Sequence, residues 1–305
     1  QLVAILRKTT TERRTMKTMM LIDADVLAFQ GAAVCQKAVQ WEDDLWTVHA
    51  DLAVAKAWIV DRIETFREKL EADSMVLALS DPKNFRRKLN PLYKANRKGV
   101  FKPIGLRPLK EWLGEEYGTV QWPNLEADDV LSILATERPN RTDRRIIVSI
   151  DKDFKGVPGM YYDFNKDEMH EPSVDDADRF HLEQVVSGDS TDGYYGVPGI
   201  GTVRAKRWLE QNGYTWASVM KLYEEKGLDE QEALMNAWMA RLLRKDEYNI
   251  KRKELTYLWM PAHYPPAEKR KYSKVVRSVT GTLDEDDSAL SPQPHFSPSP
   301  NVSKT

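Results

Sequence analysis

The stretch RIIVSIDKD (residues 145–153) decides the fold expected of this 305-residue chain. Its first six residues predict a buried strand, and the strand then ends on two carboxylates, Asp151 and Asp153. The same pattern occurs twice more, with Asp23 after residues 19–22 and Asp81 after residues 75–79. In a parallel sheet the carboxyl ends of the strands share one edge, where ligands bind. The repeated pattern therefore predicts an acidic crevice at that edge.

The segments between these strands predict an α/β fold. Apolar residues recur at helical spacing over residues 41–72, and residues 126–136 begin with acids that suit the positive end of a helix. Strands that alternate with helices favour a mostly parallel central sheet flanked by helices. After about residue 173 the apolar runs lose strand character, and we expect helices over residues 174–187, 202–212, 215–226 and 230–246.

These patterns divide the chain into four parts. Residues 1–18 are expected to be a disordered N-terminal extension, because the basic, Thr-rich sequence precedes the first strand. The α/β core should span residues 19–172 and include a basic segment, residues 82–110. A helical region should follow over residues 173–262. The proline- and serine-rich residues 263–305 are expected to form a disordered tail.

Composition narrows the possible classes of protein. The net charge of −2 argues against a uniformly basic protein that coats nucleic acid. The single cysteine, Cys35, excludes an internal disulfide and fits a reducing cytosol. No apolar run reaches the roughly 18 residues that a membrane span needs, so no membrane partner is expected.

The acids at the strand ends are joined by two further acidic motifs, LEADD (125–129) and GDSTDG (188–193). The nine expected metal ligands are Asp23, Asp81, Glu126, Asp128, Asp129, Asp151, Asp153, Asp189 and Asp192. So many carboxylates in one crevice would repel each other strongly unless cations were bound. Oxygen ligands without His or Cys favour Mg²⁺ or Mn²⁺, and the number of acids suggests two ions, an arrangement used to cleave phosphodiesters.

Each acidic motif also has an ordinary structural explanation. Asp81-Pro82 could form a turn, and Asp151 and Asp153 could be loop acids. The LEADD and GDSTDG acids could cap a helix and a turn. The occurrence of all five groups at strand ends and helix starts favours the metal site.

A basic segment and a glycine-rich turn predict contacts with DNA. Residues 82–110 contain no acid, and their cations, which include Lys83, Arg86, Arg87 and Lys98, are interleaved with aromatic residues. Such a segment suits phosphates and unpaired bases, and its glycines and prolines favour a flexible arch over the crevice. The turn GVPGIG (196–201) opens a basic helix and predicts a clamp on the DNA backbone. Its expected DNA-binding residues are Gly196, Gly199, Gly201, Arg204 and Lys206.

Taken in order, these motifs resemble the flap endonuclease, or 5′-nuclease, superfamily over about residues 19–261. The sequence resembles in particular the stand-alone 5′-to-3′ exonucleases of T-seven-like bacteriophages. The resemblance implies a PIN-like core followed by a helix–hairpin–helix region. It also implies a metal-dependent 5′-to-3′ DNA exonuclease, with flap endonuclease and RNA-primer-removing activity. The expected substrates are duplex DNA with a free 5′ end, flapped or nicked DNA, and RNA–DNA hybrids.

The resemblance assigns roles to further residues. YKANR (93–97) matches the family's arch motif, so Tyr93, Lys94 and Arg97 are expected to be catalytic residues that contact the scissile phosphate. Asp151 and Asp153 are expected to hold a second ion beside the first, and the hairpin is expected to bind K⁺ through backbone carbonyls. Many relatives carry an arginine where this chain has Gln30, which puts one phosphate contact in doubt. A monomer in the cytoplasm of an infected bacterium is expected.

Two other functions compete with this interpretation. LIDADVL (21–27) also fits a haloacid-dehalogenase-type phosphatase, in which Asp23 is the nucleophile, Asp25 the acid/base, and Asp128 and Asp129 supply the later acids. That interpretation gives no role to the basic segment or to the hairpin. A DNA-binding protein without catalysis is the other alternative, and the complete set of carboxylates argues against it.

Overall fold

The computed structural model describes residues 17–137, 143–262 and 264. Its strands are β1 Lys17–Asp23, β2 Gln36–Glu42, β3 Leu45–Ala50, β4 Ser74–Ala78, β5 Asp143–Ser149, β6 Met160–Asp163, β7 Glu168–His170, β8 Gly188–Asp189, β9 Tyr194–Tyr195, β10 Tyr248–Asn249 and β11 Glu254–Leu255. Its α-helices are α1 Ala24–Cys35, α2 Leu52–Lys69, α3 Phe85–Leu89, α4 Leu106–Tyr117, α5 Ala127–Thr136, α6 Val174–Ser187, α7 Thr202–Asn212, α8 Trp216–Glu224 and α9 Glu230–Ala240. Short 3₁₀ turns lie at Ala95–Arg97, Lys152–Gly156 and Lys245–Glu247.

The central sheet has the strand order β4-β1-β5-β6-β7. Its first four strands are parallel to one another, and β7 pairs antiparallel with β6. The predicted α/β fold with a mostly parallel sheet is therefore confirmed. Because β1 and β5 run in the same direction, Asp23 and the acids after Ser149 lie at the same edge.

Each face of the sheet is covered by a different set of helices. Leu21 and Ile147 belong to a hydrophobic cluster that includes α5 and the helices of the C-terminal region. Met20 and Val148 belong to a second cluster, which includes α1, α2 and α4. Alternate residues of one strand face opposite sides, so both faces are buried and the strands are nearly continuous apolar runs.

The helix predicted over residues 41–72 is wrong in its first part. Residues 36–50 form the antiparallel hairpin β2–β3, in which Trp41 Nε1 donates a hydrogen bond of 2.9 Å to Thr47 Oγ1 across the strands. The helix α2 begins only after Asp51, whose side chain accepts hydrogen bonds from the backbone N–H groups of residues 53 and 54. The residues whose spacing suggested a helix here, Trp41, Leu45 and Val48, are exposed in the hairpin and form no buried helix face.

Two further boundaries differ from expectation. Strand β1 begins at Lys17, so Lys17 and Thr18 belong to the core and not to an extension. Helix α9 ends at Ala240, before the predicted end at residue 246, because Arg241 adopts an extended backbone. Residues 1–16 and nearly all of the predicted tail lie outside the described residues. In the part of the chain that is described, no helix has the length and apolarity to cross a membrane.

Candidate active site

Three carboxylates from three elements form the first acidic cluster. Asp23 ends β1 and accepts hydrogen bonds from Val26 N (3.1 Å) and from Ser149 Oγ (3.0 Å). Asp128 lies in the first turn of α5, and Asp151 follows β5. Burial, with further repulsion from Asp25 and Asp151, raises the pKa of Asp23 to about 7, although its two hydrogen bonds oppose the shift.

Asp128 is the most perturbed acid of this cluster. Burial raises its pKa well above the usual range, and repulsion from Asp23 and Asp151 raises it further. Lys94 opposes the shift without cancelling it. These carboxylates therefore lie close enough to repel one another, as the strand-end pattern predicts.

A second acidic cluster shares Asp151 with the first. Burial, followed by repulsion from Asp151, raises the pKa of Asp153 to about 7, and Asp192 and Asp189 add to the shift. Gln184 Nε2 donates a 2.7 Å hydrogen bond that fixes Asp153 Oδ1. Burial also raises the pKa of Asp189, but Lys152 Nζ, 2.7 Å from its Oδ2, outweighs burial and leaves the pKa lowered.

The predicted catalytic residues belong to the basic segment and connect it to these clusters. Lys94 Nζ lies 2.6 Å from Glu126 Oε1 and 3.6 Å from Asp192 Oδ2. Tyr93 donates a 2.8 Å hydrogen bond to Glu126 Oε2, and Arg97 Nη2 lies 2.6 Å from Asp192 Oδ1. Burial alone would raise the pKa of Glu126, but the neighbouring cations, Lys94 foremost, lower it to about 2.

Backbone contacts hold the basic segment against the GDSTDG loop. Lys94 has a left-handed backbone (φ 53°), and its N–H donates a 2.7 Å hydrogen bond to Asp192 O. Gly193 also has a positive φ of 74°, and a Cβ there would lie 2.4 Å from Leu92 O. Only glycine permits this approach, so the contact fixes where the Lys94 side chain begins.

Two predicted ligands have partners outside the two clusters. Both oxygens of Asp129 accept hydrogen bonds from Arg86 (2.6 and 2.8 Å), and Asp129 is fully buried. Asp81 Oδ2 accepts a hydrogen bond of 2.6 Å from Asn124 N and so closes the turn before α5. The bidentate pair with Arg86 therefore separates Asp129 from the two clusters, whereas the role expected of Asp81 stays a prediction.

Asp25 is a site acid that the nuclease interpretation did not include. Its Oδ2 accepts a hydrogen bond from Ser80 N (3.0 Å), its Oδ1 lies 2.6 Å from Lys110 Nζ, and its charge raises the pKa of Asp23. The D-x-D spacing of Asp23 and Asp25 was the available signal, but Asp25 was given a role only in the phosphatase alternative. Gln30 donates a 3.3 Å hydrogen bond to Asn165 Oδ1.

The donor chemistry of the crevice fits a hard divalent cation. Within residues 17–137, 143–262 and 264, no group of three Asp, Glu, His or Cys side chains has an arrangement ready to hold an ion. The acids are instead held by protein cations, notably Lys94, Arg97 and Lys152. However, all the converging groups offer oxygen, and a bound cation would oppose both the burial and the repulsion that raise the pKa values of Asp23, Asp128 and Asp153.

The residues of the basic segment that were expected to contact DNA differ in their exposure to solvent. Lys83, Arg87 and Lys98 are exposed, whereas Arg86 is only 1% exposed and cannot reach a phosphate from its buried position. The prediction that Arg86 contacts DNA is therefore corrected. A charge run shows the sign of a segment but not which of its members are buried.

The glycine-rich hairpin leads into α7 as predicted. Gly199 (φ 78°) and Gly201 are exposed at the turn, and Arg204 and Lys206 are exposed on the helix. Gly196 is buried, and a Cβ there would lie 2.2 Å from Val186 O. Its role is therefore to let the hairpin pack closely. The Gly199 carbonyl accepts a 3.0 Å hydrogen bond from Arg204 Nη1.

Comparison with known proteins agrees with this geometry. Residues 18–171 match the family model of the 5′-3′ exonuclease N-terminal, resolvase-like domain. The chain is 31% identical over 283 residues to the exodeoxyribonuclease of Enterobacteria phage T3, covering 80% of this chain and 93% of the relative. The exonuclease of Escherichia phage T7 is also 31% identical over 283 residues, covering 80% and 94%.

The fold is similar to that of solved phage nucleases. A flap endonuclease of bacteriophage T5, in a pseudo-enzyme–product complex with DNA and metal ions, has a TM-score of 0.60 at 16% identity and covers 87% of this chain and 100% of the other. The T5 5′-exonuclease with bound zinc has a TM-score of 0.58 at 16% identity, covering 87% and 100%. At this identity the likeness shows the fold alone.

Proposed function

The chain belongs to the 5′-3′ exonuclease family, and from that premise we propose how this metal-dependent exonuclease and flap endonuclease holds its ions and its DNA. The observation that carries the proposal is the convergence of Asp23, Asp128 and Asp151 beside Lys94, where burial first and neighbouring carboxylates second raise the pKa values of Asp23 and Asp128. A crevice that gathers negative charge while keeping a lysine at its edge suits cations and a phosphate together.

Two divalent ions, Mg²⁺ or Mn²⁺, are proposed to bind the two acidic clusters. Asp23, Glu126 and Asp128 would serve the first ion, while Asp153, Asp189 and Asp192 would serve the second. Asp151 repels acids of both clusters, which supports a position between the ions. Asp129 is left out of this set, because the buried guanidinium of Arg86 pairs with both of its oxygens. Asp81 stays a predicted ligand of the first ion, since a single backbone N–H holds its Oδ2.

When bound, such ions polarise a phosphodiester and lower the pKa of a water molecule that attacks it. The residues of the chain supply orientation and charge. Ser149 Oγ donates a hydrogen bond of 3.0 Å to Asp23 and accepts one of 3.3 Å from Asp151 N. It therefore connects the Asp23 carboxylate to the backbone of Asp151. Lys94 and Arg97 place positive charge where the phosphate gains negative charge in the transition state.

DNA binding is proposed to use two surfaces that meet at the crevice. The exposed cations Lys83, Arg87 and Lys98 would follow a single strand, and the exposed N-terminus of α7 would bind the duplex backbone. K⁺ at the hairpin stays a proposal, and it would compete with Arg204 for the Gly199 carbonyl.

The proposed substrates are duplex DNA with a free 5′ end, nicked or flapped DNA, and RNA–DNA hybrids. Because these relatives come from bacteriophages, we propose action in the cytoplasm of an infected bacterium, and the monomer stays a prediction. Family membership argues against the phosphatase alternative, which leaves the arch motif without a role, and against the non-catalytic alternative, which leaves the carboxylates without one.

The test is a cleavage assay on linear duplex, flapped DNA and an RNA–DNA hybrid, each labelled at its 5′ or 3′ end. We expect Mg²⁺-dependent release of the 5′ label first and no cleavage in EDTA. The phosphatase alternative would instead give a phosphorylated Asp23, which mass spectrometry of the quenched reaction can detect. Release of the 3′ label first, or cleavage in EDTA, would refute the proposal.

A further inference from the structure

Arg86 has the most completely enclosed charge in the basic segment. Its guanidinium donates two hydrogen bonds to Asp129, one to Met239 O (3.2 Å) and one to Arg241 O. Asp129 Oδ1 also accepts a 3.1 Å hydrogen bond from Leu243 N. This pair therefore joins α3, α5 and the chain that leaves α9.

The same pair lies beneath the catalytic groups. Arg86 Nη1 lies 3.6 Å from Glu126 Oε2, the oxygen to which Tyr93 donates its hydrogen bond. The guanidinium carbon also lies 5.9 Å from the centre of the Tyr93 ring. A shift of Arg86 would move both the carboxylate and the phenol that borders it.

We propose that Arg86 and Asp129 are positioning residues, which fix Glu126 and Tyr93 and anchor the end of α9 to the core, and that Asp129 is not a metal ligand. The inference rests on the proposed metal site, because it divides the LEADD acids into ligands and support. A bidentate arginine pair occupies both carboxylate oxygens, so an ion at Asp129 would have to displace a cation buried at 1% exposure.

The pair should behave as a unit. Removal of one partner leaves the other as an unpaired buried charge, which is strongly destabilising, whereas apolar replacement of both partners is often tolerated. Asp129→Asn and Arg86→Met should each lower Tm substantially. The double variant Arg86→Met/Asp129→Leu should recover much of the loss, but its kcat should stay reduced, because Glu126 has lost the neighbouring guanidinium.

The first test compares the effects of substitutions at Asp129 and at its neighbour Asp128 on metal affinity. Mn²⁺ binding is measured by calorimetry on the DNA-free protein. Asp128→Asn should abolish detectable binding at the first site, because it removes a ligand. Asp129→Asn should weaken binding only on the order of 10- to 100-fold, the usual cost of disturbing a residue that supports a ligand. An equal loss in both variants would overturn the inference.

The second test compares the buried Arg86 with its exposed neighbour Arg87. Arg87→Ala should reduce the salt slope of DNA binding by about 1 without lowering Tm, because Arg87 is an exposed phosphate contact. Arg86→Met should lower Tm and kcat and leave the salt slope unchanged. If Asp128→Asn keeps full Mn²⁺ affinity, the proposed metal site fails. The Tm values of the two single variants and the double variant then still test the pairing of Arg86 with Asp129, because additive losses of Tm in the double variant would overturn that pairing.

Discussion

Lys94 Nζ bridges Glu126 and Asp192, at 2.6 Å and 3.6 Å, and so connects the two acidic loops through one ammonium group. Lys94→Ala should lower kcat on the order of 10²-fold, because few groups meet the charge of the transition state. DNA affinity should change far less, since it is spread over many cations. Single-turnover cleavage and equilibrium DNA binding measure the two effects separately.

Lys98→Ala is the matched control for this variant. Lys98 is an exposed cation four residues further along the same segment. Its loss should reduce the salt slope of binding by about 1 and leave single-turnover rates near wild type at saturating enzyme. Equal losses of rate and affinity in Lys94→Ala would show that Lys94 is only a general phosphate contact.

Asp23→Asn and Asp151→Asn should abolish Mg²⁺-dependent cleavage while leaving DNA binding largely intact. Each change removes a carboxylate from the crevice, and neither touches the exposed cations or the hairpin. The control is Asp43→Asn, at the exposed turn of the β2–β3 hairpin, which should cleave normally. Near-normal turnover of either crevice variant at millimolar Mg²⁺ would count against the proposed ligand set.

Gly193→Ala should impair catalysis beyond its cost in backbone strain. A Cβ at this position would lie 2.4 Å from Leu92 O, so the base of the arch would have to move and carry Lys94 with it. Gly227→Ala is a close control, because Gly227 has almost the same φ (73° against 74°) but open space around it. It should cost about 1 kcal/mol of stability from the left-handed backbone alone and leave kcat unchanged. A wild-type kcat in Gly193→Ala would show that the close contact does not position Lys94.

The sequence predicted the sheet and its acidic edge because both rest on local patterns. Apolar runs that end on Asp23 and Asp151 need only the parallel order of β1 and β5 to bring those acids together. The same reasoning failed for Asp129. Residues three apart on a helix share a face, but Glu126 caps α5 with an extended backbone (ψ 159°), so helical spacing does not relate Glu126 to Asp129.

The positions of Arg86 and Asp81 could not be predicted from local patterns. The partner of Arg86 lies 43 residues away, and its carbonyl acceptors lie more than 150 residues away. Asp81 likewise depends on Asn124, across a turn that no periodicity specifies. Long-range contacts of this kind decide whether a charge faces a crevice or is buried.

His181 should make the stability of the protein depend on pH. Its ring is 3% exposed, Nε2 donates to Ala237 O at 2.9 Å, and burial, with Arg241 as the next cause, lowers its pKa from 6.5 to about 3. A folded pKa below the unfolded pKa contributes stability above pH 6.5 that is lost as pH falls toward 3. The loss should reach about 1.4 kcal/mol between about pH 7.5 and 5.5.

Asp23 and Asp153 have the opposite sign in that window. Their pKa values are raised from 3.8 to about 7 in the folded protein, so their contribution to stability declines as pH rises. Urea unfolding in EDTA should therefore compare wild type with His181→Gln at each pH. The difference between the two proteins isolates His181, and a difference that does not change with pH would contradict the prediction.

The last prediction concerns the end at which digestion begins. The basic segment starts directly after Asp81, and the loop of Asp192 contacts it through Lys94 N, so the arch begins at the crevice. The hairpin at residues 196–201 follows the same loop. One segment can therefore enclose a single strand while the other grips the duplex close by. A duplex is about 20 Å wide, as its groove dimensions roughly imply, and should not pass beneath so short an arch.

A free 5′ terminus should consequently be required. Linear duplex should be degraded from its 5′ ends, covalently closed circular duplex should resist, and a streptavidin block on a 5′ biotin should inhibit more than the same block on the 3′ end. The blocked 3′ substrate is the matched control, because it carries the same bulk at the other terminus. Rapid digestion of closed circles, or stronger inhibition by the 3′ block, would overturn the role of the arch while leaving the metal site intact.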